Sequence, residues 1–192
     1  MERSMLIQRY QLRMESPPCD PGSARWSTFA ELEGDISAVL PYLNARLRGA
    51  IYDHATQVLT WRTGGRTVCF RPSEIAISNL EDRDEARARA ERLVALVNKT
   101  WQQRESFQPS LVRREPLKAL DVYKLLPGQN CGACGQPTCF TFALRLTVGQ
   151  ADLESCPPLF TDGFQSQRES LMAMLEAAGG AATELETVLN GE

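Results

Sequence analysis

Four of the six cysteines lie close together in the sequence, with the spacing C-x2-C-x4-C-x16-C. They are Cys131, Cys134, Cys139 and Cys156. Thiolates are strong metal ligands, and four of them converge only around something that binds them. Three ligands on one nine-residue loop, with a fourth from beyond a helix, are typical of a tetracysteine site whose loop wraps a metal centre. We therefore interpret these residues as the ligands of one iron–sulfur cluster.

Two other interpretations of the cysteines stay open at this point. Zinc ribbons also use four cysteines, but commonly as two C-x2–4-C knuckles, and only Cys131 with Cys134 has that form. Disulfides are typical of exported chains, whereas residues 1–12 alternate charged and apolar groups where a signal peptide has an apolar block. The spacing leaves the number of irons open, because the two-iron pattern C-x4-C-x2-C is the same loop read backwards.

The residues beside the cysteines suit a loop that closes on an anionic group. Gly132 and Gly135 each follow a cysteine, so the backbone can adopt turns closed to larger residues and aim N–H groups at sulfur. Thr138 is placed to cap a helix that begins at Cys139. The positive end of that helix dipole would then face the cluster.

This segment resembles the small 4Fe-4S domain at the N-terminus of the corrinoid iron–sulfur protein large subunit, a domain that also occurs in the B subunit of Rnf-type electron-transport complexes. The resemblance covers about residues 117–160. The matching residues are Pro127, Gly128, Asn130, Cys131, Gly132, Cys134, Gly135, Pro137, Thr138, Cys139, Ala143, Gly149, Cys156 and Pro157. The resemblance implies one 4Fe-4S cluster that transfers single electrons, which in the corrinoid protein return inactive cobalt to its reduced state. The corrinoid protein's barrel, a cobalamin-binding segment and the added clusters of the Rnf subunit have no counterpart here.

The whole sequence predicts an α+β protein, with an N-terminal antiparallel sheet and covering helices, and a small, mostly helical C-terminal iron–sulfur domain. We place the first domain at residues 1–105, a connector at 106–116 and the cluster domain at 117–192. Alternating residues predict a strand within 5–14, and Gly64-Gly65 predicts a tight hairpin turn. Segments rich in β-branched and aromatic residues predict further strands at 50–53, 57–62, 66–71 and 74–78.

Helices are predicted from capping residues and apolar periodicity. Thr28 with Glu31 has capping-box spacing, which predicts a helix that is kinked or restarted at Pro41 and ends near residue 48. Asp82 is placed to cap a long helix that covers the sheet. The cluster domain is predicted to contain helices at 117–126, 139–148 and 164–178, with a weak helix or frayed tail at 183–189.

The other reactive side chains are predicted to have ordinary roles. His54 is interpreted as a polar turn residue, Cys69 as a small core residue and Cys19 as part of a proline-rich loop. Three tryptophans are interpreted as core or interface anchors: Trp26, Trp61 and Trp101. Nucleotide-binding and nucleophile-elbow motifs are absent, so we do not expect an enzyme.

Composition excludes further classes of function. A net charge of −3 gives no basic footprint for nucleic acid, and no stretch approaches the roughly 20 apolar residues that span a bilayer. We expect a cytoplasmic one-electron carrier that donates to a redox partner, either a corrinoid protein or another low-potential metalloenzyme. The alternative is a structural or redox- and iron-sensing cluster that mediates protein interaction.

Overall fold

The computed structural model describes residues 5–16, 25–63 and 65–178, and within these ranges it has one six-stranded antiparallel sheet. The strands are β1 (Tyr10–Glu15), β2 (Trp26–Leu32), β3 (Ile51–Asp53), β4 (Val58–Thr63), β5 (Arg66–Arg71) and β6 (Glu74–Leu80). The helices are α1 (Leu40–Arg46), α2 (Arg83–Gln102), α3 (Ala119–Leu125), α4 (Cys139–Thr147) and α5 (Gln165–Ala177). The predicted α+β class is confirmed.

The sheet has the order β1-β2-β6-β5-β4-β3, so the strands predicted at 50–53, 57–62, 66–71 and 74–78 pair in sequence as an antiparallel meander, β3 to β6. Thr63 pairs with Arg66 across a two-residue turn in which Gly65 has a φ of 75°. Gly64, the other residue of this predicted turn, lies outside the described residues, as do Cys19 and the predicted tail at 183–189. The β1–β2 hairpin extends the sheet beyond β6, where Phe29 pairs with Ala76.

The predicted helix that begins at Thr28 is wrong over its first part, because residues 26–32 form strand β2. Thr28, Ala30 and Leu32 point into the core while Glu31 is exposed, which is the period of a strand. Pairing with β1 on one side and β6 on the other outweighs the local capping signal. Only the later part is helical, where Pro41 lies in the first turn of α1 and no N–H is needed.

Helices α1 and α2 cover one face of the sheet and form the first hydrophobic core. Asp82 caps α2 as predicted, since its side chain accepts a hydrogen bond from the Glu85 N–H at 2.8 Å. The buried stripe of α2 includes Ala86, Ala90, Leu93 and Val97. Trp61 is buried in this core, and Trp26 and Trp101 pack partly buried against it, so all three tryptophans are anchors.

A second hydrophobic core lies in the C-terminal part and is built from α3, α4, α5 and the short turns between them. The helices predicted at 117–126, 139–148 and 164–178 correspond to α3, α4 and α5. The two parts of the chain meet at Gly49, whose N–H donates to the Ala178 carbonyl at 3.2 Å. Within the described ranges, no helix is both long and apolar enough to cross a bilayer.

The connector lies against α1 through a buried asparagine. The amide nitrogen of Asn44 donates to the carbonyls of Ser110 at 2.8 Å and Val112 at 3.0 Å. Asn44 is fully buried, so these two bonds satisfy polar groups that would otherwise be costly to bury. Arg113 adds an ion pair with Asp53 at 2.7 Å. Although the connector lacks regular structure, it is hydrogen bonded to the sheet domain.

Candidate cluster-binding site

The loop between α3 and α4 carries Cys131 and Cys134. Gly132 and Gly135 have φ values of 72° and 73°, which confirms that the loop needs left-handed backbone after each cysteine. No atom lies within 4 Å of where a Cβ would sit on either glycine, so the requirement is conformational rather than one of space. The Gly135 N–H donates to the Gly132 carbonyl at 2.9 Å and closes a tight turn around Cys134.

Cys139 is the first residue of α4, and side chains accept from two of the free N–H groups at this end of the helix. Thr138 accepts from the Thr141 N–H at 3.1 Å, which confirms the predicted cap. The Cys139 N–H donates to the amide oxygen of Asn130 at 2.8 Å. The bond to Asn130 was not predicted, because it joins residues nine positions apart and depends on how the loop folds back.

Cys156 lies in the second core, between two short turns that follow α4 in the chain. It follows a short 3-10 turn at Leu153–Ser155, and its N–H donates to the Leu153 carbonyl at 3.1 Å. Pro157 then begins another short turn, in which the Leu159 N–H donates to the Cys156 carbonyl at 3.1 Å. These two turns fix the backbone on both sides of the cysteine.

Burial divides the four thiols into two pairs. Cys139 and Cys156 are 8% and 5% exposed and belong to the second core. Cys134 is half-buried against that core, and Cys131 is exposed. A group bound by all four would therefore have one side in the core and one side close to solvent.

The pKa of the Cys156 thiol is raised, first by burial and then by the nearby thiols of Cys134, Cys139 and Cys131, while the Leu159 N–H opposes the shift. Cys139 and Cys156 share the second core and Cys134 packs against it, so the fold brings three of the four predicted ligands into one part of the protein. Among the described residues, however, no three His, Cys, Asp or Glu side chains are grouped to hold a metal ion.

The remaining predicted residues lie away from this site. Cys69 is half-buried rather than a core residue, because Val68 and Phe70 take the inward positions of β5 and leave Cys69 on the other face. His54 is an exposed turn residue, as predicted, and its Nδ1 lies 3.2 Å from the Tyr52 hydroxyl.

Comparison with known proteins identifies the same segment. Residues 126–158 match the family model described as "Putative Fe-S cluster". The corrinoid/iron-sulfur protein large subunit of Moorella thermoacetica is 57% identical over 42 residues, which are 22% of this chain and 9% of that protein. The acetyl-CoA decarbonylase/synthase complex subunit gamma of Methanocaldococcus jannaschii is 37% identical over 59 residues, 31% of this chain and 12% of that protein. No solved structure matches.

The similarity is confined to the cluster segment. The subunit gamma of Methanopyrus kandleri is 47% identical over 55 residues, 29% of this chain and 12% of that protein. This chain thus aligns with 9% to 12% of the length of these three relatives. The predicted resemblance to the corrinoid protein domain is confirmed, and that to the Rnf subunit stays a prediction. Residues 126–158 therefore match an iron–sulfur cluster family model and are similar to one segment of the corrinoid/iron-sulfur protein large subunit.

Proposed function

We propose that this chain is an electron-transfer protein, in which Cys131, Cys134, Cys139 and Cys156 hold one 4Fe-4S cluster. The observation that carries the proposal is the uneven burial of the four thiols, since Cys139 and Cys156 lie in the core and Cys131 is exposed. An electron carrier needs its cluster held firmly by the protein yet close to a surface where a partner can dock. A 4Fe-4S cluster supplies reversible one-electron chemistry without any bond to a substrate.

The donor set fits a cluster better than a single ion. Four thiolates would occupy all four irons and leave no iron open for a substrate, which argues against an enzyme. A mononuclear zinc site commonly uses two C-x2–4-C knuckles, and only Cys131 with Cys134 has that form. The left-handed backbone at Gly132 and Gly135 lets the loop turn back after each of its two cysteines, as a loop that wraps a cluster must.

The partner we propose is a corrinoid protein or another low-potential metalloenzyme. The support is the printed names of the relatives, which describe a corrinoid/iron-sulfur protein and subunits of an acetyl-CoA decarbonylase/synthase complex. We place this work in the cytoplasm, where thiols are kept reduced and available as ligands. The sheet domain would then contact the partner while the C-terminal part presents the cluster.

A second candidate function is a structural or sensing cluster. It is favoured by hydrogen bonds between the two parts of the chain. The Gly49 N–H donates to the Ala178 carbonyl, and the Asn44 side chain donates to the Ser110 carbonyl of the connector. Loss of a cluster could then be transmitted to the sheet domain. A carrier keeps its fold when the cluster changes oxidation state, whereas a sensor changes its contacts.

The test is anaerobic purification with iron, sulfide and zinc analysis, followed by electron paramagnetic resonance of the reduced protein. We expect about four irons and four sulfides per chain and a signal that appears reversibly on reduction. Alanine at any of the four cysteines should abolish the intact 4Fe-4S signal. Cys69→Ala is the matched control, because that thiol lies on the sheet, and it should keep the cluster. Stoichiometric zinc without sulfide, or an intact cluster in Cys156→Ala, would contradict the proposal.

A further inference from the structure

Asn130 occupies an unusual position directly before the first predicted ligand. Its φ of 48° is in the left-handed region, which asparagine adopts more readily than most residues. Its amide oxygen accepts the N–H of Cys139 at 2.8 Å. The side chain therefore bridges from the residue before one predicted ligand to the backbone of another.

This bond closes the loop from its two ends. A flexible loop loses conformational entropy when its ends are brought together. A hydrogen bond that joins the ends offsets part of this free-energy cost before any ligand binds. Thr138 already caps α4 through the Thr141 N–H, so Asn130 is not needed to supply that cap. Its bond instead sets where the start of α4 lies relative to Cys131.

We propose that Asn130 is a positioning residue for the cluster, whose amide oxygen holds Cys131 and Cys139 beside the same space in the protein before iron binds. The inference rests on the proposed function, in which both cysteines are ligands. It also predicts an electronic effect. While Asn130 accepts the Cys139 N–H, that N–H does not donate to sulfur, and donors to sulfur change the reduction potential of a cluster.

The test uses variants that separate backbone conformation from hydrogen bonding. Asn130→Gly keeps the positive φ but removes the side-chain oxygen that accepts the Cys139 N–H. Asn130→Asp keeps the positive φ and an accepting oxygen, and it adds a negative charge. One hydrogen bond contributes about 1 kcal/mol, so we expect Asn130→Gly to release iron to a chelator about fivefold faster. Asn130→Asp should release iron at the wild-type rate, and its added charge should lower the reduction potential. Both are measured anaerobically, by chelator absorbance and redox titration.

Asn79→Gly is the matched control. Asn79 also has a positive φ, 64°, and its amide nitrogen donates to the Gly65 carbonyl at 2.9 Å in the sheet domain. It should leave the iron release rate and the potential unchanged. If Asn130→Gly releases iron at the wild-type rate, the inference is overturned.

Two further outcomes separate this inference from the proposed function. If Asn130→Gly does not fold, Asn130→Asp decides: retained iron with a lowered potential supports the inference, and an unchanged potential overturns it. If Cys131→Ala and Cys139→Ala both keep the intact cluster, the proposed function fails and the inference fails with it. If both lose the cluster while Asn130→Gly is indistinguishable from wild type, only the inference fails.

Discussion

At the residue scale, the two loop glycines differ from most residues of the site because their role is purely conformational. Gly132 has a φ of 72° and nothing lies near the place of its missing Cβ. Holding alanine in this conformation costs about 1–2 kcal/mol, so Gly132→Ala should disfavour the closed loop and reduce cluster occupancy several-fold. Iron and sulfide content per chain, measured after anaerobic reconstitution, checks this.

Gly65→Ala provides the comparison for that prediction. Gly65 has a φ of 75°, again with nothing within 4 Å of a Cβ, but it lies in the β4–β5 turn. Its replacement should lower the free energy of unfolding of the sheet by a similar amount and leave the iron content unchanged. Equal iron content in the two variants would show that the Gly132 conformation does not matter for the cluster.

Predictability at the residue scale follows the range of each interaction. The Thr138 cap and the glycine conformations depend on neighbours in sequence, so the sequence predicts them. The Asn130 bond to Cys139 depends instead on how the loop folds back, and no local pattern encodes it. The outward position of Cys69 follows from the local alternation with Val68 and Phe70, so the sequence contains the signal that would have corrected its interpretation as a core residue.

At the scale of elements, two kinds of interaction hold the connector against the sheet domain. The hydrogen bonds of Asn44 should not depend on pH, whereas the ion pair of Arg113 with Asp53 should. The pKa of Asp53 is lowered, first by the Thr56 N–H and more weakly by Arg113 of the connector. A lowered pKa in the folded state means that the ionised carboxylate stabilises the fold above the ordinary pKa of aspartate. That stabilisation is lost as the pH falls through the pKa of the folded protein.

Arg113→Ala should therefore raise the pKa of Asp53 only part of the way back to the ordinary value of aspartate, because the hydrogen bond from the Thr56 N–H remains. A carboxyl titration followed by nuclear magnetic resonance measures this shift. The pKa of Asp121 in α3 is also lowered, but by Lys124, so it should not move in the same variant. A pKa of Asp53 that does not change would mean that Arg113 does not hold the connector in solution.

Element prediction failed where a local helix signal competes with strand pairing. Residues 26–32 contain a capping-box spacing, but pairing with two neighbouring strands decides for the sheet. The long helix α2 was predictable because its apolar stripe repeats over many turns. Short elements without that repetition depend on tertiary partners.

At the scale of the whole molecule, the two hydrophobic cores are separate, and the predicted ligands belong to only one of them. Cys139 and Cys156 are part of the second core, with Cys134 packed against it, while the first core is formed by the sheet, α1 and α2. A bound cluster would link the α3–α4 loop, the start of α4 and the turn at Cys156 to one another, and these links are lost without it. A bound cluster should therefore stabilise the second core far more than the first.

Removing the metal should consequently loosen one part of the chain and spare the other. After anaerobic iron chelation, we expect amide hydrogen exchange to speed up in α3, α4 and α5, while β2, β4 to β6 and α2 stay protected. Cys156→Ala should give the same pattern without chelator, and Cys69→Ala should give none of it. The contacts of Gly49 with Ala178 and of Asn44 with the connector would transmit any wider change. If protection from hydrogen exchange fell equally in both cores, the molecule would unfold as one unit. That result would favour the sensing cluster over the electron carrier.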